Sequence, residues 1–243
     1  IPHEFTNGVC VCTAKAVAMV EAGGTATCYT ALETALGAAQ SGSKVTLLAS
    51  VELTNQLTIP SYVTFNGGEF TLSGEDLLND GIITGGTFTA TVINFTGDIT
   101  GGTFDTISYF MGAVSGQISF KTLDINGFTP EIDLSHAVNI VGARVGIITN
   151  DLPVSDLKLP DGYALEVAGE IVSTLPSAKT GTIVAHEHGY TYTDQGDGTH
   201  SGACPCGAIT AAEPHTFAQN NAGEWVCVCT AKAVAKVGDT FYV

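Results

Sequence analysis

An apolar-x-Gly-Gly-x-Phe phrase occurs three times in close succession: Phe65-Asn66-Gly67-Gly68-Glu69-Phe70, Ile83-Thr84-Gly85-Gly86-Thr87-Phe88 and Ile99-Thr100-Gly101-Gly102-Thr103-Phe104. From Gly67 to Gly85 the step is 18 residues, and from Gly85 to Gly101 it is 16. Strands of an ordinary sandwich recur every ~8–12 residues, whereas one coil of a β-solenoid needs about the length found here. Each coil also needs a sharp turn, which glycine adopts at little cost because it lacks a Cβ. The phenylalanine two residues beyond each glycine pair is expected to point inward, so that Phe70, Phe88 and Phe104 stack as a ladder. Weaker echoes follow at Ile140-Val141-Gly142-Ala143-Arg144-Val145 and Val167-Ala168-Gly169-Glu170-Ile171-Val172.

Ahead of the first coil, Thr30-Ala31-Leu32-Glu33 has the form of a capping box, with Thr30 as N-cap. Leu32, Ala35, Leu36 and Ala39 then follow helical spacing, and Gly42 stands where a C′ glycine belongs. This predicts an amphipathic helix of about three turns that covers the open end of the sheet. Composition agrees with a turn-rich β protein: 44% hydrophobic residues, 13% charged residues and 29 glycines. The fold expected is mainly β: a short right-handed parallel β-helix over about residues 44–180, an N-terminal capping helix, and a small Cys/His-rich β module.

The two ends of the chain repeat each other. Val9-Cys10-Val11-Cys12-Thr13-Ala14-Lys15-Ala16-Val17-Ala18 is identical to Val226-Cys227-Val228-Cys229-Thr230-Ala231-Lys232-Ala233-Val234-Ala235. The lead-in Pro2-His3-Glu4-Phe5 likewise matches Pro214-His215-Thr216-Phe217. Such a repeat implies about one period of a tandem array, trimmed inside a module at each end. Residues 1–29 then read as the second half of a preceding Cys/His module plus a hairpin, and 30–180 as capping helix and β-helix. Residues 181–235 form a Cys/His module, and 236–243 start the next unit, since Val237–Tyr242 resembles the approach to Cys28-Tyr29.

Of seven cysteines, six stand in three C-x-C pairs. His200, Cys204, Cys206, His215, Cys227 and Cys229 place six soft or borderline ligands within thirty residues, downstream of His186-Glu187-His188. A module with so few large apolar side chains needs a cross-link. One structural zinc held by Cys204, Cys206, Cys227 and Cys229, with His200 or His215 as substitute or supporting ligand, would supply it. Two disulfides between the C-x-C pairs are the alternative. His3, Cys10 and Cys12 repeat the ligand pattern without a partner half and are expected to hold metal weakly, or with a neighbour's help.

Other candidates read as structure. Asp80 and Asp98, which could stack as an acid pair, lie in turn text where Asp bonds its own backbone. Asp194-Gln195-Gly196-Asp197-Gly198 lacks the length and closing glutamate of a calcium loop and reads as a hairpin tip. Cys28 reads as a buried thiol. Tyr62, Tyr109, Phe110, Tyr163, Tyr190, Tyr192 and Trp225 could include a sugar platform, but isolated aromatics are usually packing residues. A formal charge of −16 disfavours nucleic acid and anionic membranes. No apolar run reaches the ~18 residues of a membrane span, and no nucleotide or G-x-S-x-G motif occurs.

The stretch Thr30–Gly42, the Thr46-Leu47-Leu48 strand and the Gly-Gly-x-Phe coils resemble the β-helical units of large cell-surface proteins from Gram-positive, clostridia-like gut bacteria. His188-Gly189-Tyr190 through His200, Cys204-Pro205-Cys206-Gly207, His215-Thr216-Phe217 and Cys227-Val228-Cys229 resemble the Cys/His repeats beside them, although related modules often carry C-x-x-C. The resemblance implies an extracellular, cell-surface or wall-attached protein with no established activity. The function expected is a non-catalytic structural or adhesive repeat segment. Its partners would be neighbouring repeats of the same polypeptide and host or bacterial glycans or surface proteins. The competing reading is a β-helical carbohydrate-active enzyme or carbohydrate-binding module, because fold alone does not decide function.

Overall fold

The computed structural model describes residues 5–6, 9–10, 15–126, 131–147, 156–176, 179–238 and 240–242. Strands Lys44–Leu47, Thr64–Gly74, Ile82–Phe88, Asp98–Tyr109, Ala113–Ile125 and Arg144–Ile147 pair in parallel, each with the next. Short strands Val51–Leu53, Leu57–Ile59, Leu77–Asn79 and Val92–Asn94 continue the coils through a second turn of sheet. The result is a β-solenoid of about five turns.

Register explains the core. Phe65, Ile83, Ile99 and Val114 occupy one row of aligned positions, and Leu72, Phe88, Phe104 and Phe120 another. Leu77, Val92, Ile107, Leu123 and Val145 form a third. All of these side chains are buried. Each row stacks like on like at the inter-strand spacing, so apolar surface is removed from water coil after coil.

The aromatic ladder is real but shifted. The Phe88 and Phe104 rings stack 4.8 Å apart at an interplanar angle of 4°. Phe70 does not join them: Leu72 lies opposite Phe88, Phe70 is only partly buried, and Phe65 approaches Phe88 from the adjoining row at 6.2 Å. The reason lies in the spacing. Phe70 precedes Phe88 by 18 residues, and the register shifts on either side of Gly85 absorb the excess. Glycine is required there because coils meet backbone to backbone. A Cβ on Gly67 would lie 2.7 Å from the Gly86 Cα, and Gly86 itself sits at φ +122°.

Parallel pairing ends at Lys158 rather than running to 180: Glu131–Asp133 pairs in parallel with Asp156–Lys158, and the strands after it pair antiparallel. Strand Thr180–Ala185 pairs antiparallel with both Arg144–Ile147 and Tyr163–Val167, and Tyr163–Val167 pairs antiparallel with Glu170–Val172. The echo at Val167–Val172 is therefore a hairpin, turned by Ala168 and Gly169 at φ +55° and +86°. At the other end the hairpin Ala18–Ala22/Thr25–Tyr29 pairs antiparallel with Lys44–Leu47. Both ends of the parallel stack thus carry an antiparallel hairpin, which occupies an edge that would otherwise template another chain.

The helix spans Leu32–Ala38, shorter than expected. Its N-cap is Ala31 and no side chain caps it, so the Thr30–Glu33 box does not form. Leu32, Ala35, Leu36 and Ala39 are buried as their spacing required. The helix packs against the N-terminal hairpin and the first coil. Gly42, at φ +80°, belongs to the following turn and donates its N–H to the Tyr62 carbonyl.

Two buried asparagines stack at one solenoid corner. Asn79 donates Nδ2–H to Asn94 Oδ1 at 2.7 Å, and Asn94 donates to the Gly97 carbonyl at 2.9 Å. Asp80 and Asp98 do not stack on each other, because Asp98 lies opposite Ile82. Asp80 accepts from the Thr96 hydroxyl and Asp98 from the Ala113 N–H, so each carboxylate bonds the next coil and not, as expected, the backbone of its own turn.

The shifted ladder separates two similar substitutions. Phe88→Ala is expected to cost about 3–5 kcal/mol in denaturant unfolding, and Phe70→Ala less than half of that. Equal losses would place Phe70 back in the ladder.

Candidate metal centres

Between Thr191 and Cys227 lie two small hairpins that share one design, and a third, Ala235–Val237 with Thr240–Tyr242, follows them. Thr191–Asp194 pairs with Thr199–Ala203, and Phe217–Gln219 pairs with Trp225–Cys227. In these two, each second strand runs into a C-x-C knuckle. In the first, Cys204 donates its N–H to Ala208 O and Gly207 to Cys204 O. In the second, Cys227 donates to Ala231 O and Thr230 to Cys227 O, all four bonds at 2.8–2.9 Å. The residue after each C-x-C adopts positive φ: Gly207 at +92° and Thr230 at +72°. The knuckle brings two thiols to the same side of a tight turn.

In the first centre, Cys204 and Cys206 meet His186 and His188, with all four ligand atoms within 4.8 Å of one another. His186 Nε2 lies 3.0 Å from Cys204 Sγ, and His188 Nδ1 lies 3.3 Å from Cys206 Sγ. The other nitrogen of His188 contacts Asp161 Oδ1 at 3.1 Å, which orients the ring and leaves Nδ1 for the centre. His186 is fixed through its backbone, donating N–H to Gly162 O in the same turn as Asp161.

In the second centre, Cys227 and Cys229 meet His200 and His215, again within 4.8 Å. His200 Nδ1 is 3.5 Å from Cys227 Sγ. His215 Nε2 donates to the Thr199 carbonyl at 2.9 Å and lies 3.4 Å from Asp194 Oδ1. Its Nδ1 is buried without a hydrogen-bond partner. A buried lone pair left unused is costly unless something coordinates it. Both hairpin modules therefore present a histidine through Nδ1, with Nε2 held from behind.

These donor sets fit a tetrahedral ion. Zinc at ~2.3 Å from sulfur and ~2.0–2.1 Å from nitrogen puts neighbouring ligand atoms about 3.3–3.8 Å apart, close to the spacings here. Cys28, Cys204, Cys206, Cys227 and Cys229 are free thiols, none at disulfide distance from another. Burial disfavours the Cys204 thiolate. Hydrogen bonds from the Cys206 backbone, His186, the Cys206 thiol and His188 outweigh it and bring the pKa down to about 6. Burial pushes the Cys206 and Cys229 thiols up. A bound cation removes that penalty by supplying the counter-charge.

The expectation of one centre shared by Cys204, Cys206, Cys227 and Cys229 is corrected: the two pairs go to separate centres. A C-x-C knuckle offers only two ligands, and each finds its other two on histidines nearer than the second knuckle. His200 and His215 lie together in the second centre. Sequence reading did not assign His186 and His188 as ligands. The signal was there, since His188-Gly-Tyr190 repeats the His-x-aromatic lead-in of His215-Thr-Phe217. Of the N-terminal trio, His3 and Cys12 lie outside the described residues. The backbone of Val9–Cys10 pairs with Phe5–Thr6 so that Phe5 faces Cys10, as Phe217 faces Cys227.

Asp194 and Asp197 accept the Gly196 and Thr199 N–H groups, making the hairpin tip that was expected. Cys28 is half-buried rather than buried. The rings of His188, Tyr190, Tyr192, His200, His215 and Phe217 follow one another at 5.3–6.2 Å, joining the two centres by a column of ring contacts. No helix among the described residues is long and apolar enough to cross a membrane. No family model, curated protein or solved structure matches this chain.

Thr230 is a β-branched residue in the left-handed region, where L side chains cost ~1–2 kcal/mol. Thr230→Gly removes that strain and loosens the unfolded chain, so the metal-loaded protein is expected to gain about 0.5–1 kcal/mol in denaturant unfolding. Gly207→Ala is expected to lose stability, because its Cβ would also meet Ser173 Cβ at 2.9 Å. A loss for Thr230→Gly would contradict the shared knuckle geometry.

Proposed function

We propose that this chain is a non-catalytic structural or adhesive repeat segment of a secreted or wall-attached bacterial surface protein. Its solenoid, right-handed and covered at its N-terminal end by the helix, acts as the spacer, and zinc acts as the core of the small modules. The observation that carries the reading is the donor chemistry: each centre offers two imidazoles and two thiols, a complete tetrahedral set. Such a closed set leaves no position for substrate, which is the mark of a structural site. Thiolate and imidazole favour zinc over the oxygen-seeking calcium and magnesium. The solenoid supports a spacer role because each coil contacts chiefly its neighbours, so length is added without changing the cross-section.

Neighbouring repeats of the same polypeptide, and host or bacterial glycans or surface proteins, are the partners this reading implies. Elemental analysis of purified protein is expected to find two zinc ions per chain, one for each donor set. One zinc bound by all four cysteines, or none, contradicts it. Incubation with a panel of polysaccharides and mucin glycans is expected to give binding at most and no cleavage. Release of reducing or unsaturated sugar ends would replace this reading with that of a β-helical carbohydrate-active enzyme.

A further inference from the structure

We propose that each metal centre spans the boundary between two consecutive structural units, so that the ions set the relative orientation of those units. This rests on the zinc reading above. The two cysteines of each centre follow or end the second strand of one hairpin module, Cys204 and Cys206 in the first and Cys227 and Cys229 in the second. One histidine of each, His188 or His215, stands in the segment that leads into that hairpin. The fourth comes from the unit before. His186 follows directly on Thr180–Ala185, a strand of the solenoid sheet, and is anchored to Gly162 in a solenoid turn. His200 lies on Thr199–Ala203, a strand of the first hairpin module. Supporting contacts cross the same boundaries, from Asp161 to His188 and from the Thr199 carbonyl and Asp194 to His215.

Packing alone gives these joints little. Where the first module meets the solenoid there is an open cavity of about 680 Å³, lined by Leu159, Leu165, Val172, Ser173, His188 and Gly207 among others. Between the modules, the paired residues are Thr199 with Pro214 and His200 with Glu213, and the His200 and His215 rings stack 5.7 Å apart. A stacked imidazole pair and one short bridge are weak restraints beside four coordinate bonds. With both ions bound, solenoid and modules form one rigid body; with an ion removed, everything beyond that joint moves freely while the solenoid stays folded.

Backbone ¹⁵N relaxation on the zinc-loaded 243-residue chain tests this. In the unaltered protein, amides of both modules are expected to share the correlation time of the solenoid strands. In His200→Ala, amides of 217–227 are expected to fall to about half that correlation time while 191–203 do not. In His186→Ala both modules fall together. His200→Cys restores a fourth ligand and is expected to restore common tumbling and the full zinc count. A single correlation time in His200→Ala, with zinc bound normally to the other ligands or lost, overturns the joint. Zinc failing to bind the unaltered chain overturns the zinc reading itself, a different result.

Discussion

From residue 186 to residue 236 the buried side chains are His200, Cys204, His215, Cys227 and Cys229. Every one is a donor of a metal centre. A segment of this length has to remove something from water to repay the entropy of ordering its backbone, and here the ligands are what it removes. Burying thiols and imidazoles is unfavourable by itself. The raised Cys206 and Cys229 pKa values and the unpartnered His215 Nδ1 register that cost. A divalent ion would reverse the sign by pairing with each donor, making coordination and folding one event on the proposed reading.

The solenoid obeys the opposite logic. Its rows of Phe, Leu, Ile and Val are buried coil on coil, its backbone groups pair between coils, and the buried Asn79 donates to Asn94, although Asn79 Oδ1 and Thr46 Oγ1 stay unpartnered. It needs no ion. The antiparallel hairpins at both ends complete it by occupying the edges of the parallel stack. On the proposed reading, one polypeptide joins a solenoid with its own apolar core to small units whose candidate ligands, two imidazoles and two thiols each, would couple them to their neighbours.

Much of this was legible in the residues. The Gly-Gly-x-Phe spacing carried the solenoid because stacked backbones admit glycine at few positions. The C-x-C pairs carried the metal chemistry because a two-residue knuckle with flanking histidines has few other uses. Three features escaped for identifiable reasons. An 18-residue step in a 16-residue register slides Phe70 past the ladder, and the strand pattern near Gly85 does not reveal how a bulge absorbs the excess. The antiparallel closure after Lys158 uses the same apolar-x-Gly text as a coil, so Val167–Val172 reads alike in both. The division of four cysteines into two centres depended on where His186 and His200 land in space. His200 lies 15 residues before His215, and only the hairpin geometry brings the two rings face to face.

The central claim is that two His₂Cys₂ centres, rather than buried hydrocarbon, hold residues 186–236 together. X-ray absorption fine structure at the zinc edge of the loaded 243-residue chain tests it most directly. The account predicts an average zinc environment of two sulfurs at about 2.3 Å and two nitrogens at about 2.0–2.1 Å, with the outer-shell scattering of imidazole rings. A shell of four sulfurs without imidazole scattering would contradict it, because the cysteines would then converge on one ion and the histidines would serve elsewhere.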